Sequence, residues 1–298
     1  MHSRSVGRSA AAAALSIVLA FSFLGAAGAS RAGATVPGTN GLIAFERMAP
    51  PFIPSGDIYT IEPNGTGIRR LTFGGTGMFP AWSPDGRRIA YSGPADPTFA
   101  IWIMGADGSD PHQLTFPGSS SDLRPAWSPD GRRIVFDRLY GAVDVLWIMN
   151  ADGSDLRRLH RGSEPSWSPN GRWIAFTGLD GVRLIRPNGR GIRRVAAGMA
   201  EHPSWSPNGR WIAYAGPGGI WIVNAAGNDR RRVTHAAVAD RMPAWAPDGS
   251  RIVFSRSSDV GSGGTHLWTI KIDGSGARRV TSHADRIDWN AAWQPLHR

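Results

Sequence analysis

The sequence predicts an all-β protein: a six-bladed β-propeller of four-stranded antiparallel blades, closed by the C-terminal strand completing the first blade. Three observations carry this. Trp82-Ser83-Pro84-Asp85-Gly86 returns with its Trp at 127, 167, 205 and 245, and in degenerate form as Trp293-Gln294-Pro295, at spacings of 45, 40, 38, 40 and 48 residues. Each copy is followed by the same order of alternating apolar runs and tight turns. The 298 residues include 38 Gly and 22 Pro without the period of collagen, which points to many short strands joined by turns rather than to long helices.

Taken in order, the chain opens on a leader. Arg4 and Arg8 precede an apolar stretch centred on Leu15 to Leu24, and Ala27-Gly28-Ala29 fits a small-residue cleavage pattern, so residues 1–29 are expected to be a signal peptide. An uncleaved anchor is the alternative, since about 20 apolar residues can span a bilayer. Residues 30–39 form a short linker, and 40–298 form the propeller. Gly41–Phe45, Asp57–Ile61 and Ile68–Thr72 supply the second, third and fourth strands of a unit that lacks its first. That first strand stands at the other end, as Asn290–Pro295, so the two ends of the chain are expected to share one blade. Between them each unit reads first strand, Ser-Pro-Asp/Asn-Gly turn, second strand (Arg88–Tyr91), variable loop, third strand (Ile101–Met104), Asp107-Gly108-Ser109 turn and a closing run to Thr115. Pro sets φ in the first turn and Gly supplies a positive one.

The motif tryptophans are expected to be wedges between blades, because repetition at one position signals packing. Trp102, Trp147, Trp221 and Trp268 fall on third strands and Trp173 and Trp211 on second strands, whereas Trp289 breaks the pattern and is expected to be exposed. Zero cysteines exclude disulfides, thiolate metal sites and cysteine nucleophiles. The net charge of +10 falls to +8 when Arg4 and Arg8 leave with the leader. The remaining arginines recur at corresponding strand positions without an aromatic-plus-basic nucleic-acid motif, so no nucleic-acid partner is expected. The Asp107-Gly108-Ser109-Asp110 and Asp152-Gly153-Ser154-Asp155 turns lack the further ligands of a calcium loop and read as hairpin turns.

Pro80-Ala81-Trp82-Ser83-Pro84-Asp85-Gly86 and the run Ile148-Met149-Asn150-Ala151-Asp152-Gly153-Ser154-Asp155-Leu156-Arg157-Arg158-Leu159 resemble the propeller repeats of the TolB family, over about residues 40 to 295. The resemblance implies a six-bladed propeller and, from the family's role as periplasmic partner of a peptidoglycan-associated lipoprotein, protein binding in the envelope. The family's α/β domain ahead of the propeller has no counterpart in the ten residues of the linker.

Candidate site residues follow from the strand directions. Turns joining strands one to two and three to four lie at one end of a blade and barely vary. The other end carries variable loops: 48–56, 93–98, 116–123, 137–144, 196–201, 236–241 and 255–266. Residues just before each Pro-x-Trp are expected to ring the channel mouth at that end. Three places before Trp these are Phe79, Arg124, Glu164, His202, Met242 and Asn290; one place earlier, Met78, Leu123, Ser163, Glu201, Arg241 and Trp289. Arg124, Glu164, Glu201, His202, Arg241, Trp289 and Asn290 are the ligand-binding candidates, either serving a polar ligand or peptide or pairing with one another in a solvated ring. The expected function is that of an exported, periplasmic or extracellular, monomeric and non-enzymatic scaffold. Its partner would be a protein or cell-envelope ligand; no catalytic residue, metal, cofactor or membrane span after leader cleavage is expected. The alternative is a metal-dependent polysaccharide lyase at the same mouth, since oligogalacturonate lyases resemble this chain in their repeats and hold a metal with histidine. His160, His202, His235 and His283 stand near blade-to-blade connections, but singly.

Overall fold

The computed structural model describes residues 37–49, 56–235, 239–257, 264–283 and 286–296. The expected leader, most of the linker, and parts of the loops 48–56, 236–241 and 255–266 lie outside the described residues. The described chain runs as β1 (Thr39–Met48), β2 (Asp57–Ile61), β3 (Arg69–Arg70), β4 (Met78–Trp82), β5 (Arg88–Ala95), β6 (Thr98–Gly105), β7 (His112–Gln113) and β8 (Ser121–Trp127). It continues with β9 (Arg133–Tyr140), β10 (Val143–Asn150), β11 (Arg157–Arg161), β12 (Ser163–Trp167), β13 (Ile174–Gly178), β14 (Gly181–Ile185), β15 (Arg193–Ala197) and β16 (Glu201–Trp205). The last third holds β17 (Trp211–Gly216), β18 (Gly219–Asn224), β19 (Arg230–Arg232), β20 (Asp240–Trp245), β21 (Arg251–Ser257), β22 (Thr265–Lys271), β23 (Arg278–Arg279) and β24 (Ile287–Leu296).

The fold is an all-β propeller of antiparallel four-stranded blades. Strands β4–β7, β8–β11, β12–β15 and β16–β19 form four separate four-stranded sheets, each in chain order. The remaining strands form one eight-stranded sheet, in which β20–β23 and β24-β1-β2-β3 are two antiparallel runs joined by a single parallel pairing of Thr265 with Ile287. β24 pairs along β1 from Thr39–Leu296 to Met48–Ile287, so the two ends of the described chain are stitched to each other. The Trp-bearing strands β4, β8, β12, β16, β20 and β24 each touch the next, and β24 touches β4.

Packing follows the tryptophans. Trp82, Trp127, Trp167, Trp205, Trp245 and Trp293 are 0–6 % exposed, and each joins a different apolar cluster built from its own repeat and the preceding one. Trp82, for example, lies with Ala44, Ile58 and Leu71 from the strands before it and Ile89 and Tyr91 from its own. Burying such an indole removes roughly 150–250 Å² from water, worth at most about 4–6 kcal/mol. None of the six indole N–H groups has a partner among the described residues, so their contribution is burial and contact rather than hydrogen bonding.

Candidate binding face and channel mouth

The two ends of each blade differ in chemistry. At the turn end, Ser83 Oγ bonds Asp85 (2.6 Å) and accepts the amide of Arg88 (2.9 Å), and Gly86 takes φ +68°; the copies beginning at Ser128, Ser168 and Ser206 repeat this bonding. In the other turn, Asp107 accepts from the amide and hydroxyl of Ser109, and Asp152 does the same for Ser154. These carboxylates are engaged in holding hairpins.

At the opposite end, every Trp-bearing strand is broken by a bulge. Phe79, Arg124, Glu164, His202, Met242 and Asn290 all have φ between 53 and 58°, and the register with the second strand shifts at each. A non-glycine residue held there costs on the order of 1–3 kcal/mol, so six copies mark a built feature of the scaffold. The following residue is Pro80, Pro125, Pro165, Pro203 or Pro243 in five copies, and a proline in the unpaired stretch has no N–H to leave unsatisfied.

Side chains of the second strand of the preceding unit catch four of the bulged amides. Glu46 accepts from Phe79, Ser92 Oγ from Arg124 (3.2 Å), and Asp137 Oδ1 from Glu164 (3.0 Å). His202 N reaches both Glu164 Oε2 (2.8 Å) and Thr177 Oγ1 (3.2 Å). These second-strand anchors are absent from the sequence-derived candidates. Their signal is a column in the repeats, in which each second strand carries aromatic, X, then Arg or Gly: Phe45-Glu46-Arg47, Tyr91-Ser92-Gly93, Phe136-Asp137-Arg138, Phe176-Thr177-Gly178, Tyr214-Ala215-Gly216 and Phe254-Ser255-Arg256.

The bulge decides which candidates meet. Arg124 Nε contacts both oxygens of Asp137 (2.9 and 3.0 Å), its Nη2 reaches Asp144 (3.1 Å), and its Nη1 lies 3.9 Å from Glu164. Glu164 in turn accepts from Thr177 (2.7 Å) and lies 3.2 Å from His202 Nε2. Three carboxylates therefore share one guanidinium. Burial pushes Asp137 up to about 7 despite Arg124, with Asp144 adding repulsion. Burial also raises Asp144, against the pull of Arg124. Glu164 is held below the usual range: burial opposes its charge, but His202, Arg124 and the Thr177 hydroxyl favour it. Burial and carboxylate repulsion thus push the two aspartates up, while the groups around Glu164 hold it down.

Of the seven candidates, then, Arg124, Glu164 and His202 come together, but buried at the seams between units. Glu201 and Arg241 are half-buried and 4.0 Å apart. Asn290 is buried away from both groups, donating to Glu46 (2.7 Å), whose carboxyl is pushed up to about 7 by burial against the bonds from Asn290, Phe79 and Gly56. Trp289, expected to be exposed, is half-buried and its N–H is wholly buried, because the bulge tucks this residue opposite Glu46. The histidines do not converge: His160 bonds the Arg161 carbonyl, His202 meets Glu164, and His283 meets Asp288 (2.8 Å) and His266 (3.2 Å). Among the described residues, no three His, Asp or Glu side chains are grouped as metal ligands.

Around this seam the variable loops carry exposed apolar side chains. Phe73 (67 % exposed), Phe116 (81 %), Leu179 (86 %) and Met199 (74 %) stand on loops at this end, and Tyr140 is half-exposed at the end of β9. Leu179 and Met199 border a depression of about 350 Å³ that also takes in Asp180, Arg194 and Glu201.

Solved structures share the fold. TolB from Acinetobacter baumannii aligns at TM-score 0.76 and 19% identity over 87% of this chain and 68% of its own. Hydrazine synthase from Kuenenia stuttgartiensis aligns at 0.71 and 16% over 87% and 47%, and oligogalacturonate lyase from Vibrio parahaemolyticus at 0.57 and 13% over 86% and 79%. At these identities the likeness is one of fold, and that fold carries more than one chemistry. No curated protein sequence matches the chain. The family model of the TolB beta propeller domain matches residues 56–219 and 165–297, and the chain belongs to that family.

Proposed function

We propose that this protein is an exported, non-enzymatic, six-bladed TolB-like propeller that binds a protein of the cell envelope through its variable face. The carrying observation is the set of large apolar side chains at Phe73, Phe116, Tyr140, Leu179 and Met199, exposed at the same end as the charged bulge row. Leu179 and Met199 border one depression, exposed apolar patches mark interaction sites, and aromatic and Met residues are enriched where proteins meet. The half-buried Glu201–Arg241 pair and the partly exposed Asp144 supply polar contacts beside them. In this reading the eight-stranded sheet is two blades touching at one residue pair. Six bulges, six wedging tryptophans and the cyclic contact of the six first strands support that count. Residues 1–29 are the leader, 30–39 the linker and 40–298 the propeller, released as a monomer into the periplasm or beyond.

A photo-crosslinking residue placed at Phe116 or Leu179 tests the binding face in the native envelope, with the same residue at Asp152 on the turn end as control. A discrete protein adduct from Phe116 and Leu179 and none from Asp152 is expected. Equal labelling from both ends, or none from Phe116 and Leu179, overturns the reading.

A further inference from the structure

The opposite, turn-bearing end holds a cleft of about 560 Å³ between β8–β11 and β12–β15, lined by Arg133, Arg157, Arg172 and Arg186 with Trp173 and the Pro187-Asn188 turn. Its charge is concentrated by two departures from the repeat. Arg186 stands where the other copies have Glu62, Gly105, Asn150, Asn224 and Lys271, and Asn188 stands where three copies have Asp107, Asp152 and Asp273. One change adds a cation; the other leaves out the acid that its neighbours would place beside it.

Three of the four arginines are positioned by contacts that do not neutralise them. Arg133 lies 5.0 Å over the Trp167 ring and Arg186 5.4 Å over the Trp173 ring. Arg157 donates to the Pro187 carbonyl (2.9 Å). None of the four is among the arginines ion-paired to a carboxylate in the described residues. Asp130, whose charge feels Arg133 and Arg132, is itself occupied by Ser128 Oγ (2.5 Å) and the Arg132 amide (3.1 Å). A guanidinium lying over a ring keeps its in-plane N–H donors free for an oxyanion, and two such forks with Arg157 and Arg172 around the same cleft favour a dianion over a single carboxylate. The volume falls within the range of small-ligand sites, so it exceeds what a bare anion needs.

We propose that this cleft binds a phosphate monoester carried on a small polyol or sugar, free or as a lipid headgroup. This site is separate from the protein-binding face and does not depend on it. The test is titration of the mature protein with glycerol phosphate, against chloride at matched ionic strength, following the indole N–H resonances. The Trp173 resonance is assigned by Trp173→Phe. A saturable shift centred on Trp173 is expected, weakened at least about tenfold in Arg172→Ser/Arg186→Asn. That variant carries residues other repeats hold at the same positions, Ser250 and Asn224, so its thermal midpoint should stay at the wild-type value. In a second arm, phosphatidylcholine vesicles with and without phosphatidic acid are sedimented with both proteins. Response to glycerol phosphate assigns a free ester. Variant-sensitive binding only to the phosphatidic acid vesicles assigns the lipid. Shifts equal to those in chloride together with no variant-sensitive vesicle binding, or an unchanged affinity in the double variant, overturn the proposal.

Discussion

Three pairs of first and second strands close with an arginine–aspartate clasp, and three fill the same place with glycine or alanine. In β24–β1 Arg47 grips Asp288 (2.6 and 2.8 Å), in β8–β9 Arg138 grips Asp122 (2.5 and 2.8 Å), and in β20–β21 Arg256 grips Asp240 (2.6 and 2.7 Å). Each guanidinium also lies over aromatic rings of the second and third strands: Phe45 and Tyr59, Phe136 and Trp147, Phe254 and Trp268. In the other three pairs the corresponding residues are Gly77 and Gly93, Gly162 and Gly178, and Ala200 and Gly216. There the third-strand side chain folds into the space instead. A Cβ on Gly93 would come within 2.7 Å of Trp102 Cδ1, one on Gly178 within 2.8 Å of Arg183 Cδ, and one on Gly216 within 2.9 Å of Trp221 Cδ1. Trp102 and Trp221, so placed, donate their N–H to the Pro94 and Pro217 carbonyls (3.2 and 3.1 Å), whereas Trp147 beneath Arg138 has a buried N–H without a partner. Two solutions to one volume exclude each other, so the residues change in pairs: Asp with Arg, or Gly or Ala with Gly. The buried acidic anchors of the second strands, Glu46 and Asp137, both belong to clasp-type pairs, whereas Glu164, the buried acid of the bulge row, belongs to a glycine-type pair.

The strongest way to break the comparison is at the clasp that joins the chain ends. Deleting residues 287–298 removes Asp288, Asn290 and Trp293 together, leaving the buried Arg47 without its aspartate, Glu46 without the Asn290 amide, and β1 with an open edge. Loss of the cooperative thermal transition is expected by near-UV circular dichroism; a truncated protein melting at the wild-type temperature would refute the closure. Next in size is a single clasp. Asp122→Ala strands a buried guanidinium and is expected to cost about 3–5 kcal/mol in urea denaturation. Asp122→Gly with Arg138→Gly converts this pair to the other type and frees Trp147 to turn as Trp102 does, so the double change is expected to cost less than Asp122→Ala alone. A double variant as unstable as the sum of its single changes would show that the two solutions are not interchangeable.

The same columns explain how much was legible beforehand. Strands, turns, wedging tryptophans and the stitching of β24 to β1 could be read because each rests on a residue type recurring at a fixed place. The bulges could not. Alternation across x-Pro-x-Trp gives no sign that one residue takes a positive φ, and that turn moves Arg124, Glu164, His202 and Asn290 from an open rim into the seams. Trp289 fails for the same reason. Glu46, Asp137 and Thr177 are each the residue after a second-strand aromatic, a position that neither the variable loops nor the innermost strand includes. The pairing of Thr265 with Ile287 that joins two runs into one sheet depends on how closely two neighbours approach, which no repeat column encodes.

The subtlest consequence of the comparison is a pH dependence carried by the clasp-type units. Glu46 sits beside Arg47 in β1, yet Arg47 is committed to Asp288, and burial pushes the Glu46 carboxyl up from 4.5 to about 7. An acid whose folded pKa lies above its unfolded one binds its proton more tightly in the native state, so its contribution is fully present below pH 4.5 and is lost as pH rises to about 7. At most roughly 3 kcal/mol is lost across that window. Glu46→Gln keeps an oxygen to accept from Asn290 and the Phe79 amide while removing the titration. The variant is therefore expected to match the wild type near pH 4.5 and to exceed it increasingly toward pH 7, with no further divergence above about 8. Urea midpoints of the two proteins, measured pairwise across that range, give the difference directly, and the other titrating groups cancel in it. Ser92→Ala, in a glycine-type unit at the same place, is expected to give a difference independent of pH. A flat Glu46→Gln difference would mean that the bonds from Asn290 and the two backbone amides keep the carboxylate ionised throughout, and the link between buried acid and clasp would reduce to geometry.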